Sequence, residues 1–338
     1  MYTLITGGAG YIGSHTVLAA LEAGLKPVVL DNLYSGFCKA VPEGVPFIKA
    51  SILDSEALEK VFTEHKITSI MHFAAHLEVE ESTREPLKYY ENNVYGTLNL
   101  LRAAQKSGTV EHFVFSSTCA TYGNPERVPV DESCAQKPVS PYGASKLATE
   151  MLIKDYAASL AAHSRAAYDK QVSMTYALLR YFNVAGADPK GRVGQSTPKA
   201  TQLVKVCAEV AAGKREALTV FGTDYNTPDG TCVRDYIHVS DLAEAHILAL
   251  KYLQDGGSSE AFNLGYGKGY SVLDISNAMK KASGVDYKIK LAPRRAGDPE
   301  SIYSDTTHSN KLLGFKPKYE DIDLICKTSF NWEQNKKY

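Results

Sequence analysis

Short apolar runs alternate with longer amphipathic stretches through the first half of the chain. Tyr2–Thr6 is an apolar run that ends in glycines, and Pro27–Asp31, Phe47–Ala50, Ser69–Ala74, Glu111–Ser116 and Met174–Phe182 repeat the strand-like pattern. Between them, Ser14–Ala23, Ser55–His65, Leu87–Lys106 and Tyr142–Ala162 read as helices. Gly24 and Gly108 stand where helices stop, and Asp54 or Ser55 is placed to cap one. Strands separated by helix-length segments predict right-handed βαβ units. The expected class is therefore α/β, a doubly wound parallel sheet of Rossmann type. Ala161–Gln171 reads as a helix end followed by a polar surface loop. After about residue 182 the rhythm breaks. Segments rich in Gly, Pro and Asp, at Gly186–Pro189 and Asp224–Gly230, divide helices expected over Thr201–Gly213, Ser240–Leu253 and Val272–Ala282. This half is expected to form a second, smaller mixed α/β lobe. The division is 1–182 and 183–338, with room for segments to interleave at the boundary.

Composition narrows the partners. Of 338 residues, 44% are hydrophobic and 22% charged, enough for a sizeable core. The formal net charge is −1, so no global basic field exists to hold nucleic acid or an anionic membrane. An anionic ligand must be bound locally. The six cysteines show no C-x-x-C spacing, which fits a reduced compartment. The opening residues are too soon interrupted by glycine to read as a signal peptide, and no apolar run reaches membrane-spanning length. The expected location is cytoplasmic. His72 and His76 lie at a strand end with no cysteine or acidic cluster to complete a ligand set, so no metal is expected.

The first candidate site is Gly7-Gly8-Ala9-Gly10-Tyr11-Ile12-Gly13. Gly7 permits a tight turn, Gly10 lets the backbone approach a pyrophosphate, and Gly13 lets the helix pack closely. The helix N-terminus supplies free N–H groups and a positive dipole end for phosphates. Asp31 closes the next strand. A carboxylate there accepts hydrogen bonds from ribose hydroxyls and repels a 2′-phosphate, favouring NAD over NADP.

The second candidate is Tyr142-Gly143-Ala144-Ser145-Lys146, with Tyr142 and Lys146 on one helix face. An ammonium beside a phenol favours the phenolate, and a tyrosine so tuned can serve as general base on a sugar hydroxyl. The strand Glu111–Ser116 leads to Thr118 at the sheet edge where ligands of open α/β folds sit. Thr118 can bond the reacting oxygen. Alone, either motif is a common surface pattern; their order along one chain is what makes them informative.

With these motifs in place, the sequence resembles the extended short-chain dehydrogenases/reductases, and within them the UDP-glucose 4-epimerases. The resemblance spans nearly the whole chain and is most specific at Thr6–His15, His72–Ala75, Leu87–Gly96, Tyr142–Lys146, Leu178–Gly186, Asp224–Val239 and Ala292–Asp298. It implies inversion of C4 of a UDP-hexose by transient hydride transfer to tightly bound NAD, with a tyrosine base. Thr118, Tyr142 and Lys146 would carry catalysis. Gly7, Gly10, Tyr11, Ile12, Gly13, Asp31, Asn32, Ser35, Gly36, Ser51, Ile52, Phe73, Ala74, Ala75, Asn92, Ser116 and Tyr181 would line the NAD site with Tyr142 and Lys146. Asn183, Gln202, Leu203, Phe221, Arg234, Arg295, Asp298 and Ile302 would hold the UDP-sugar with Thr118 and Tyr142. Arginine forks suit a diphosphate bidentately. On this resemblance, residues 1–182 are the NAD-binding domain and 183–338 the UDP-sugar-binding lobe. The two long helices would pair in a homodimer.

Ser51, Leu77 and Gln202 depart from residues common in the family, and none belongs to the catalytic set. Ile302 aligns with the position that gates the sugar pocket, and its intermediate size predicts some activity on UDP-N-acetylhexosamines. A 4-epimerase of UDP-N-acetylhexosamine or UDP-pentose is the nearest alternative. Dehydratase and decarboxylase chemistry needs an acid or base directly after the active hydroxyl, where this chain has Cys119 and Ala120. A NAD-responsive binding protein without turnover is the alternative of another class, and it would have no use for the Tyr142–Lys146 pair.

Overall fold

The computed structural model describes residues 1–162, 173–198, 200–295 and 298–338. Most of the loop expected over Ala161–Gln171 falls outside the described residues. The strands are β1 (Tyr2–Thr6), β2 (Pro27–Asp31), β3 (Phe47–Lys49), β4 (Ile67–His72), β5 (His112–Ser116), β6 (Thr175–Tyr181), β7 (Asn183–Ala185), β8 (Leu218–Phe221), β9 (Val233–His238), β10 (Glu260–Leu264), β11 (Gly269–Ser271), β12 (Ile289–Ala292) and β13 (Ser301–Ile302). The chain condenses into two compact units, one from 1–123, 136–180 and 243–262, the other from 124–135, 181–242 and 263–338.

The first unit is built on a seven-stranded sheet of order β10-β6-β5-β4-β1-β2-β3. Pairings from β3 across to β6 are all parallel. From β1 the chain winds outward through β2 and β3, then restarts on the other side with β4. The order therefore reverses between β1 and β4, the place where open α/β sheets bind ligands. Both faces are covered, so β2 and β4 are buried along their whole length rather than alternating. Leu4, Val28, Ile70, Leu100, Phe113 and Leu178 belong to the core that results.

Local signals set the helices. Asp54 caps the helix Ser55–Glu64 by accepting from the Ala57 N–H at 3.0 Å. The stretch expected as one helix over Leu87–Lys106 is Pro86–Tyr89, a π turn over Tyr90–Tyr95, and Gly96–Ser107. The wider turn lets the Asn93 side chain accept from the His76 N–H at 2.8 Å and donate to Ser145 Oγ at 3.0 Å. β10 was not expected, because Glu-Ala-Phe-Asn-Leu is too short and too weakly alternating to stand out. Its pairing with β6 is a tertiary effect.

The second unit is mixed. β9 pairs antiparallel with β11 and parallel with β7 and β13, while β8 and β12 form a separate parallel pair. Helices Leu203–Ala211, Val272–Ser283 and Ile322–Gln334 enclose a core that includes Val204, Ile275, Met279, Ile325 and Phe330.

Candidate active site

The predicted cofactor residues lie mostly at or just past the carboxyl ends of the parallel strands, with Asn92, Tyr142 and Lys146 on the helical segments. Gly7 has φ +73°, and a Cβ there would come within 2.7 Å of the Ala74 nitrogen; one on Gly13 would come within 2.2 Å of the Gly7 carbonyl. The loop thus leaves a cradle that any side chain would fill. The helix Tyr11–Glu22 follows with no side chain capping its first turn, which leaves N–H groups for an anion.

Asp31 is buried, and its carboxylate accepts from the Ala9 N–H at 3.0 Å and the Leu33 N–H at 2.7 Å. Burial raises its pKa, against the opposing pull of those backbone donors. It therefore ties the glycine loop to the end of β2. Asn32, Ser35 and Gly36 follow it, and a Cβ on Gly36 would touch the Ala9 backbone at 2.8 Å. Ser51 and Ile52 follow β3, Phe73, Ala74 and Ala75 follow β4, and Asn92 lies in the π turn. Tyr181 closes β6. These residues fit a dinucleotide in donor set and space.

Beyond β5 the chain makes a tight turn, Cys119–Thr121, with Thr118 as its cap accepting from the Ala120 N–H at 3.1 Å. Against it lies the helix Pro141–Ala162, whose Gly143 is so close that a Cβ would meet the Ala120 carbonyl at 2.6 Å. A larger residue would push the helix away from the turn. The Lys146 ammonium donates to the Ser116 carbonyl at 2.6 Å and lies 4.5 Å from the centre of the Phe115 ring. Burial pushes its pKa down to about 7, with the Glu150 carboxylate opposing. His72 holds Thr6 and Thr97 at 2.6 and 2.9 Å through its two ring nitrogens. Burial, with help from the Lys146 charge, lowers its pKa to about 3. The Tyr142 ring meets Tyr89 edge-on, 6.4 Å between centres.

In the second unit, Asn183 is on β7, Gln202 and Leu203 open a helix, and Phe221 ends β8. Gln202 accepts from the Gln195 amide at 2.8 Å. Arg234 on β9 stands beside Ile302 on β13 in parallel register. Asp298 bridges two arginines, Arg234 at 3.6 Å and Arg295 at 3.2 Å. The Arg295 guanidinium also lies over the Phe221 ring at 4.6 Å. The predicted sugar-nucleotide residues Phe221, Arg234, Arg295, Asp298 and Ile302 therefore form one patch.

Glu150, Arg180 and Asp235 were not singled out by sequence reasoning. All three are buried charges. Asp235 accepts from Ser304, Tyr266 and Gly267, which fixes β13 and the loop after β10 to β9. Glu150 stands one helical turn beyond Lys146, and that spacing was the available signal.

A family model described as the NAD dependent epimerase/dehydratase family matches residues 3–265. A UDP-glucose 4-epimerase of Lacticaseibacillus casei is 47% identical over 99% of this chain and 97% of its own. The solved structure of a UDP-glucose 4-epimerase from Brucella ovis in complex with NAD is 42% identical, with a TM-score of 0.91 over 98% of this chain and 97% of that one. The UDP-Glc/GlcNAc 4-epimerase of Campylobacter jejuni is 45% identical, with a TM-score of 0.84 over 99% of both chains. With the glycine cradle, the Tyr142–Lys146 helix and these likenesses together, the chain belongs to the NAD dependent epimerase/dehydratase family, among its UDP-glucose 4-epimerases.

Proposed function

We propose that this enzyme interconverts UDP-galactose and UDP-glucose by inverting C4 of the hexose. The observation that carries the reading is the close packing of the Tyr142–Lys146 helix, through Gly143, on the turn that presents Thr118. The Gly7–Gly13 loop and the helix behind it would hold the pyrophosphate of NAD, and Asp31 its ribose. When bound, NAD supplies a reversible hydride acceptor, so inversion needs no net oxidant. Tyr142 takes the proton of the sugar 4-hydroxyl, Lys146 steadies the resulting phenolate by its charge, and Thr118 orients the hydroxyl. Arg234 and Arg295 hold the diphosphate. Asp298 keeps their forks aligned in its absence.

Three finer assignments follow the same reading. Ile302 is buried beside Arg234 and is smaller than a tyrosine, which supports activity on UDP-N-acetylhexosamines as well. Leu87, Tyr90, Tyr95 and Met151 expose apolar surface on the two long helical stretches, which supports a homodimer paired along them. Among the described residues no disulfide forms and no helix is long and apolar enough to cross a membrane, in keeping with action in the cytosol.

The test is direct. Purified protein is given UDP-galactose with no added nucleotide, and UDP-glucose is followed by chromatography. Its appearance supports a resident cofactor and the proposed reaction. No conversion, even with NAD supplied, overturns the galactose assignment, and UDP-pentoses and UDP-N-acetylhexosamines would be tried next. Binding of NAD with no turnover of any UDP-sugar would favour a sensor instead.

A further inference from the structure

The catalytic helix carries a third polar residue at the same spacing: Tyr142, Lys146 and Glu150 follow one another one turn apart. The Glu150 carboxylate is wholly buried and fully engaged. Arg180 on β6 donates to it through Nε at 3.0 Å and Nη2 at 2.7 Å. The Ser117 hydroxyl donates at 2.5 Å and the Gln136 amide at 3.1 Å. Burial disfavours its charge, yet Arg180, Ser117 and Gln136 together hold its carboxyl below the usual range. Arg180 spends its remaining Nη1 on the Tyr122 hydroxyl, at 3.0 Å. One carboxylate thus holds Ser117 directly and Tyr122 through Arg180. Between those two residues lies the turn that begins with Thr118.

A buried ion pair is a weak source of stability, since desolvation cancels much of its attraction. Its fixed, bidentate geometry gives direction instead. We propose that Glu150 and Arg180 form a two-ended clamp that positions the Thr118 turn against Tyr142 and Lys146 for proton transfer. The inference rests on the epimerase reading above. Glu150 and Arg180 are positioning residues that act through Thr118 and Lys146. Glu150 also favours the Lys146 charge, which lies against the Phe115 ring, donates to the Ser116 carbonyl and helps keep His72 neutral.

The experiment uses the full chain with its resident cofactor. Ser117→Ala and Tyr122→Phe each remove one side-chain hydrogen bond of the clamp and leave the ion pair intact. Each should lower kcat about tenfold while KM for UDP-galactose changes less than about twofold, as expected of a small misplacement at the reacting atoms. Alkylation of Cys119, inside the turn, should accelerate relative to Cys38 when followed by peptide mass spectrometry. In Glu150→Gln the alkaline limb of the kcat profile should move to lower pH, because Lys146 loses the carboxylate that favours its charge. A purely structural role would lower the amplitude and leave the limb in place. Unchanged kcat and Cys119 reactivity in Ser117→Ala and Tyr122→Phe overturn the clamp, even if Glu150→Gln fails to fold. Failure of the unsubstituted chain to convert UDP-galactose would overturn the galactose assignment instead, and the Cys119 rates would still decide whether the turn is clamped.

Discussion

Glu150 and Arg180, at 0% and 2% exposure, are locked by bonds of 2.7 to 3.0 Å in the first unit. The arginines of the second unit are held differently. Arg295 is 55% exposed in its side chain, and Asp298 reaches it and Arg234 only at 3.2 and 3.6 Å. The contrast matches two tasks. Proton transfer needs groups fixed before the substrate arrives, because reorganisation at the reacting atoms adds to the barrier. Holding a diphosphate needs forks that can give up one carboxylate and take another. On the proposed reading, rigidity is concentrated where the bonds would change, and exchangeable contacts where the ligand would be gripped.

The comparison can be broken at several points. Tyr142→Phe should cost the most, lowering kcat by about a thousandfold or more while bound NAD remains visible in the absorbance of the purified protein. A fall in both together would mean that the ring serves the cofactor's retention rather than the proton. Arg180→Met should follow, as it strands a buried carboxylate. A loss of about 3 kcal/mol in denaturant unfolding is expected, and a neutral result would show that the pair is not tightly coupled. Arg234→Ala should raise KM for UDP-galactose by about tenfold with a smaller change in kcat, as removal of a charge-assisted fork from a ligand predicts. A kcat effect larger than the KM effect would move Arg234 into the preorganised class.

Two smaller effects sharpen the contrast. Ile302→Tyr should reduce kcat/KM for UDP-N-acetylglucosamine by about tenfold and spare UDP-galactose. No parent activity on the N-acetyl sugar would remove the basis of that expectation. His72 is held near pKa 3 in the folded chain against an ordinary 6.5. Below pH 6.5 the unfolded chain takes up a proton that the folded one refuses. This contribution is therefore complete above 6.5 and is lost as pH falls toward 3. The melting temperature should drop by a few degrees, roughly, between pH 7 and 5, and less in His72→Gln. Equal slopes would assign the acid sensitivity to carboxylates.

Much of the first unit was legible because its signals are local. The glycine loop and Tyr142–Lys146 each lie within a few residues, and the apolar runs announce β1 through β6 directly. Asp31 was expected to meet a ribose, but its bonds to Ala9 and Leu33 were not foreseen, since they depend on how the next loop folds back. The clamp was hidden for a related reason. Glu150, Ser117 and Arg180 are about thirty residues apart from one to the next, and a charged residue in a helix ordinarily faces water. β10 offered little alternation, and β7, β11 and β13 have two or three residues each among irregular segments, whereas the equally short β3 stands within the regular strand–helix alternation. In the second unit the arginines were found by family resemblance, whereas their shared partner Asp298 made physical sense only in three dimensions.

The position of β10 bears on how the chain is made. The sheet that carries the glycine loop is completed at one edge by residues 260–264, long after β6 ends at Tyr181. During synthesis, β6 emerges with an unpaired flank and stays so while some eighty further residues are translated, at about 5–20 residues per second. For several seconds the nascent chain exposes a strand edge able to pair with a neighbour. Any truncation that removes β10 would make that interval permanent, so a fragment ending after β6 should aggregate rather than fold.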